Sequence, residues 1–179
     1  MKTTHIALPV GKYVIRSFCS EDIDALVRYA NNRNVWLNLR DLFPHPYERH
    51  HAEAWLRELQ QMNPVTGFVI ASEEEAIGGI KLHPQPDIMR RSVELGYWLA
   101  EPYWGKGIAT AAVRAMTEWG FSNLQINRIF AYVFGWNPAS ARVLEKAGFT
   151  FEGRMREAVF KDGRLTDLLV YGMVKKTAP

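Results

Sequence analysis

The chain has 179 residues, 47% apolar and 23% charged, a balance that fits one folded domain and excludes disorder or low complexity. Its 22 Lys and Arg against 19 Asp and Glu leave a formal charge of +3, which suits an anionic ligand and falls short of a nucleic-acid footprint. The single cysteine, Cys19, excludes an intramolecular disulfide and any zinc site built on two thiolates, and points to a reducing, cytoplasmic setting.

In chain order, the opening MKTTHIALPVGKYVIRSF is broken by His5, Pro9 and Gly11 and lacks the apolar core of a signal peptide. No later stretch approaches the roughly 18 to 20 apolar residues of a membrane span. Residues 12–18 read as a strand. Ser20, followed by Glu21, Asp22 and Asp24, reads as an N-cap with acids where the helix dipole favours them. Ile23, Leu26, Val27 and Ala30 then form one apolar face, and Asn31-Asn32 ends the helix. Pro44-His45-Pro46 breaks the chain before a second helix expected to bury Trp55, Leu56, Leu59 and Met62, closed by Asn63-Pro64.

Two short apolar runs, 67–72 and 76–82, flank the acidic turn Glu73-Glu74-Glu75 as a hairpin, and Ser92–Leu99 follows as a third strand. From about Gly107, Ile108, Ala111, Ala112, Ala115, Met116 and Trp119 repeat at helical spacing. A strand over Arg128–Phe134 leads to a helix capped by Asn137, opened by Pro138 and stopped by Gly148. The Asp162-Gly163 turn closes a last hairpin. With no internal repeat and no long linker, the reading is a single mixed α/β (α+β) domain over residues 1–179.

The stretch Tyr103-Trp104-Gly105-Lys106-Gly107-Ile108-Ala109-Thr110 lies between a strand and the strongest helix. The first helical N–H groups, from Gly107 to Thr110, have no intrahelical acceptor, and two glycines let a ligand approach the backbone, which suits a phosphate. Taken alone, the same glycines serve a tight turn equally well. A P-loop is excluded because no Gly stands four residues ahead of a Gly-Lys-Ser/Thr string. A dinucleotide fingerprint fails because Thr110 replaces the third glycine and residues 123–128 contain no acid for a ribose.

What remains is Glu94-Leu-Gly-Tyr-Trp-Leu, the Gly-Lys-Gly-Ile-Ala turn, Asn137-Pro-Ala-Ser140, and Glu145-Lys-Ala-Gly-Phe149, in that order. This combination resembles the GNAT superfamily of acetyl-CoA-dependent N-acetyltransferases, and within it the RimJ/RimL-like branch of ribosomal-protein N-terminal acetyltransferases. The family's pyrophosphate motif maps onto Trp104, Gly107 and Ala109, with Trp104 standing where the pattern has Gln or Arg. The resemblance implies a mostly antiparallel, twisted mixed sheet flanked by helices, with a strand that is bulged and splays from its neighbour at the coenzyme. Free backbone amides around Trp98, Leu99 and Ala100 are expected to hold the pantetheine and acetyl carbonyl. The turn residues Trp104, Gly105, Lys106, Gly107, Ile108, Ala109 and Thr110 are expected at the pyrophosphate.

The resemblance further places Ser140 near the coenzyme sulfur and Asn137 on the pantetheine; read structurally, Asn137 is an N-cap and Ser140 a polar first-turn residue. Lys106 gains from its place in the turn, whereas Lys146 reads as a solvated residue at a helix end. Glu94 alternates with Gly96 and Trp98 on one strand face, so the small residue leaves space between an acid and an aromatic wall. Glu94 is either a water-mediated base for the amine or a carboxylate paired with Arg or Lys.

Cys19, read as semi-buried, has no neighbouring His and is rejected as an acyl nucleophile, so acetyl should pass directly from acetyl-CoA to the amine. His50-His51 point about 100° apart on a helix and carry no metal-ligand spacing. Trp36 and residues 44–47 are candidate walls for the acceptor. The expected protein is an acetyl-CoA-dependent N-acetyltransferase, monomer or homodimer, acting on a protein N-terminal α-amine and using no metal, nucleic acid or membrane. Its alternatives are a polyamine or antibiotic acetyltransferase and a non-catalytic acyl-CoA sensor.

Overall fold

The computed structural model describes residues 6–176; Met1–His5, on which part of the leader reading rests, lie outside the described residues. Eight strands form one sheet in the order β1-β2-β3-β4-β5-β6-β8-β7. They are β1 (Ala7–Val10), β2 (Tyr13–Arg16), β3 (Gly67–Ala71), β4 (Ala76–Pro84), β5 (Ser92–Leu99), β6 (Arg128–Phe134), β7 (Thr150–Lys161) and β8 (Arg164–Val174). Every neighbouring pair is antiparallel except β5 and β6. The strand β1 escaped the sequence reading because Pro9 breaks its pattern; an edge strand tolerates the missing N–H.

The helices are α1 (Ile23–Ala30), α2 (Arg33–Trp36), α3 (Arg49–Gln61), α4 (Ile108–Asn123) and α5 (Pro138–Ala147). One face of the sheet carries α4 and α5: Ile108, Ala112, Val113, Met116, Ala141 and Leu144 pack with Val93, Leu95 and Leu99 of β5. The other carries α1 and α3, where Leu26 meets Val69 and Ala76, and Trp55, Phe18 and Trp98 close around them. Gly79 permits this second layer, since a Cβ there would stand 2.8 Å from Trp98 Nε1 and 3.1 Å from Trp55 Cη2. The expected face of α3 is partly corrected: Ala52 and Leu59 are its buried residues, and Met62 lies past the end as C-cap.

The first helix also starts differently. Ser20 belongs to a short 3₁₀ turn, Ser20–Asp22, whose N-cap is Cys19. Asp22 turns inward at 3% exposure because Arg16 donates to both its oxygens at 2.7 Å, and the Cys19 N–H donates at 3.0 Å. The stop read at Asn31-Asn32 holds, with Asn31 as the C-cap of α1, and Asn32 in addition caps α2 by accepting from the Asn34 and Val35 N–H groups. Local sequence favoured an end at Asn31-Asn32, and the cap restarts the helix immediately.

Burial pushes the Asp22 carboxyl up, but the bonds from Arg16 and from the Cys19 N–H and thiol outweigh it and hold the group below its ordinary value. The unfolded carboxyl titrates near about 3.9, so this stabilisation is complete above that pH and is lost as pH falls through the lower folded value. Asp22→Asn should therefore destabilise the fold by about 3 kcal/mol at neutral pH. Urea midpoints measured at neutral and acid pH should show the gap from wild type closing on the acid side.

Candidate active site

The parallel contact between β5 and β6 is short: Ser92, Val93 and Glu94 pair with Arg128, Ile129 and Phe130, and pairing then stops. Beyond that point β5 follows β4 as far as Leu99, while β6 follows β8 as far as Phe134. Each strand keeps a full antiparallel partner, so sheet twist opens a V between them. The expected bulge in β5 is not found, because the β4–β5 register runs without a shift. Divergence of two intact half-sheets replaces it.

The same register corrects which amides are free. The Ala100 N–H donates to Ile77 O at 2.8 Å and Gln85 N–H to Ser92 O at 3.2 Å, so even-numbered positions of β5 turn their backbone groups toward β4. Ala100 and Trp98 are thereby committed to the ladder, and Leu95, Tyr97 and Leu99 direct their backbone groups into the V. Of the expected trio only Leu99 retains an amide for a ligand. Its carbonyl is taken, because Trp104 Nε1 donates to Leu99 O at 2.7 Å. The tryptophan in place of the family's Gln or Arg thus braces the turn against the strand end and has no N–H left for a phosphate. Trp104→Phe should cost about 1 kcal/mol of stability, read as a lowered urea midpoint.

Gly105 and Gly107 lie at φ +73° and +76°, with nothing within 4 Å of a Cβ added at either. Gly107 is the N-cap of α4, and the Ala111 N–H is the first to return to Gly107 O, at 3.1 Å. The N–H groups of Gly107, Ile108, Ala109 and Thr110 therefore lack intrahelical acceptors. The Ile108 side chain is buried, so its backbone is what faces a ligand. A shallow cavity of about 190 Å³ opens beside this turn, lined in part by Gly11, Lys12, Tyr13, Lys106 and Gly107. Lys12, on the β1–β2 turn, was invisible to motif reading because it joins Lys106 only through the fold. Exposed amides and two lysines fit a coenzyme's phosphates.

Toward α5, Asn137 Oδ1 accepts from the Ser140 N–H at 3.1 Å, so the capping reading of Asn137 is realised. The Ser140 Oγ lies 2.7 Å from the Tyr97 hydroxyl. Burial pushes the Tyr97 phenol up to about 12, opposed by its bond to Ser140, so it stays protonated at neutral pH. Tyr97 was missed because it alternates with Leu95 and Leu99 as a core position; a hydroxyl in that apolar row was the available signal.

Glu94 faces the opposite side of the sheet, at the root of the V, with its side chain 14% exposed. Arg40, from the loop between α2 and α3, donates from Nη2 to Glu94 Oε1 at 2.5 Å. Space over Gly96 is bounded by His83, whose Nε2 lies 3.4 Å from the position of an added Cβ. Partial desolvation, with the charges of Lys81 and Arg40, lowers the His83 pKa to about 4 and leaves the ring neutral. Trp98 meets Phe43 edge-on at 5.6 Å, and Phe43 stacks on Tyr47 at 5.0 Å, forming an aromatic wall. Trp36 stacks on His45 at 5.5 Å and lies beneath Lys161 Nζ at 3.6 Å, which ties it to the β7–β8 hairpin. Lys146, in the last turn of α5, gives its carbonyl to Arg114.

Cys19 is exposed, correcting the semi-buried reading, and its thiol is pushed up by local desolvation and by the Asp22 carboxylate it bonds. The His50 and His51 rings lie 3.7 Å apart, closer than their helical angle suggested, because both turn back onto Glu48. Among the described residues no group of three or more His, Cys, Asp or Glu could hold a metal, and no helix is long and apolar enough to cross a membrane.

A mixed sheet parted between two parallel strands, with an amide-rich glycine turn at the mouth, defines a class of protein suited to a phosphorylated coenzyme. Residues 12–150 match the Acetyltransferase (GNAT) domain family, and the chain belongs to that family. It is 33% identical over 122 residues to the Bacillus subtilis (strain 168) protein named "Putative ribosomal N-acetyltransferase YdaF"; the match spans 68% of this chain and 66% of that relative. RimL, the ribosomal L7/L12 α-N-protein acetyltransferase solved with coenzyme A, superposes with a TM-score of 0.81 at 21% identity over 94% of this chain and 98% of the other. Spermidine N-acetyltransferase from Vibrio cholerae, solved with coenzyme A and spermine, superposes at 0.76 and 24% identity over 91% and 95%. At these identities the two superpositions speak for the fold.

Proposed function

We propose that the protein transfers the acetyl group of acetyl-CoA directly to a primary amine, with a protein N-terminal α-amine, such as that of a ribosomal protein, as acceptor. The observation that carries this reading is the distribution of groups about the V. A hydroxyl pair, Ser140 and Tyr97, stands on one face, and a half-buried carboxylate, Glu94, stands at its root on the other. The coenzyme supplies the thioester; turn amides with Lys12 and Lys106 bind its phosphates, and the Tyr97 and Leu99 amides face its carbonyl side.

In the reaction the acceptor ammonium first loses a proton toward Glu94 through water. The neutral nitrogen attacks the carbonyl carbon, the C–S bond breaks, and the second amine proton leaves as the amide forms. The departing thiolate takes a proton from Ser140 Oγ, Tyr97 replenishes Ser140, and the second amine proton returns to Tyr97 through solvent, while Glu94 releases the first. One proton ends on the thiol and one in solvent.

Acceptor choice follows from the base and the charge around it. Deprotonating an α-amine near pKa 8 at neutral pH costs about 1.4 kcal/mol, against about 4.6 for a lysine near 10.4, and a weak water-mediated base suffices for the first. Asp41 pairs with Lys161 and Asp162 with Arg33, so these acids offer no second anionic seat beside Glu94, which disfavours a polycation. A polyamine acceptor is the second reading, favoured by the fold shared with the spermidine enzyme. Coenzyme-thiol release measured over a panel of N-terminal peptides, polyamines and aminoglycosides tests both. Turnover on Ser- or Ala-terminated peptides is expected, and Glu94→Gln should lower kcat about tenfold or more on them while acetyl-CoA still binds. Tight coenzyme binding with turnover on none of the panel overturns the enzymatic reading in favour of a sensor.

A further inference from the structure

Glu94 is the last residue of β5 that pairs with β6, and its side chain is 14% exposed. A carboxylate so placed requires a counter-cation. The neighbouring His83 is neutral, and Lys81 is bonded to Glu58 at 2.6 Å. Among the described residues the cation on Glu94 is Arg40 alone, which arrives from a loop 54 positions away and not from the sheet. The contact is single: the bond is made from one guanidinium nitrogen to one oxygen, and the arginine side chain is 57% exposed. A second place for the same cation lies beside it, because Arg40 Cζ stands 6.0 Å from the centroid of Tyr132, a ring 37% exposed.

We propose that Arg40 is a specificity-determining residue that fills, in the resting protein, the seat an acceptor ammonium takes on Glu94. The acceptor arrives charged, competes with the guanidinium for one carboxylate, and displaces it toward Tyr132. A single-point pair whose cation is exposed can exchange in this way, whereas a bidentate pair buried on both sides would not. The consequence is discrimination: a neutral molecule brings no charge to compete for Glu94 and leaves Arg40 in place. This inference rests on the amine-acetyltransferase reading.

Two measurements separate the inference from that reading. The first uses no turnover: n-butylammonium binding is followed by calorimetry on wild type, Arg40→Ala, Arg40→Lys and the Arg40→Ala/Glu94→Gln double variant, all checked by thermal melting. Arg40→Ala should bind the probe about three- to tenfold tighter than wild type, Arg40→Lys should resemble wild type, and the double variant should lose the gain. Equal affinity in wild type and Arg40→Ala, or a gain that survives Glu94→Gln, overturns the inference whatever the protein's activity. The second uses the N-terminal peptide that the panel identifies: Arg40→Ala should lower its KM by a similar factor, with the change carried by KM rather than kcat. An unchanged or raised KM overturns the inference and leaves the acetyltransferase reading intact.

Discussion

Ser140→Ala should lower kcat for acetyl transfer about a hundredfold, equivalent to about 2.7 kcal/mol of transition-state stabilisation, with acetyl-CoA affinity changed less than twofold. The reasoning is geometric. The Ser140 hydroxyl is 2.7 Å from a phenol that burial holds protonated, so the pair can donate to a thiolate and be restored from behind. Neither hydroxyl is needed to hold phosphates under the proposed assignment of these to the glycine turn. Tyr97→Phe removes only the second donor and should cost about tenfold, with the double variant falling little below Ser140→Ala because the two act in series. Single-turnover rates and equilibrium dialysis of the coenzyme separate the two effects. Loss of coenzyme affinity in step with kcat would show instead that Ser140 is a binding contact.

Gly107→Val should weaken acetyl-CoA binding at least tenfold. A β-branched residue at φ +76° costs about 1–2 kcal/mol from left-handed backbone alone, and the turn must shift to relieve it. Because nothing in the protein lies within 4 Å of the added Cβ, the new side chain projects into the space a phosphate would approach. The melting temperature reports the first effect and coenzyme affinity the second. A lowered melting temperature with unchanged affinity would remove the turn from the coenzyme site.

The sequence reading located this turn correctly because every element of it is local: a strand end, two glycines, and a helix stripe within a few residues. The α5 cap was legible for the same reason, since Asn137 accepts from a backbone N–H three positions on. The V could be expected from the family resemblance, but its origin could not. Whether β5 is bulged, and whether Ala100 or Tyr97 offers its amide, depends on the register against β4, and a slip of one residue would reverse the answer. Trp104 looked like a departure from a motif until its indole N–H was found on Leu99 O.

Glu94 shows the limit most directly. Alternation put it on a face with Gly96 and Trp98, and both a catalytic base and an ion pair fitted that pattern. The fold supplied Arg40 from a loop of no regular structure and His83 from the neighbouring strand, neither of which periodicity can place beside it. By itself the sequence determined most of the helices and strands and the glycine turn between β5 and α4, because propensity, capping and turn chemistry act over a few residues, while β1, the start of α1 and the separate α2 escaped it. Only the tertiary structure decided that Ser140 meets Tyr97 from 43 positions away, that Lys12 joins Lys106, and that Arg40 rests on Glu94. Such meetings depend on strand register, sheet twist and loop packing, which are settled by the whole core at once.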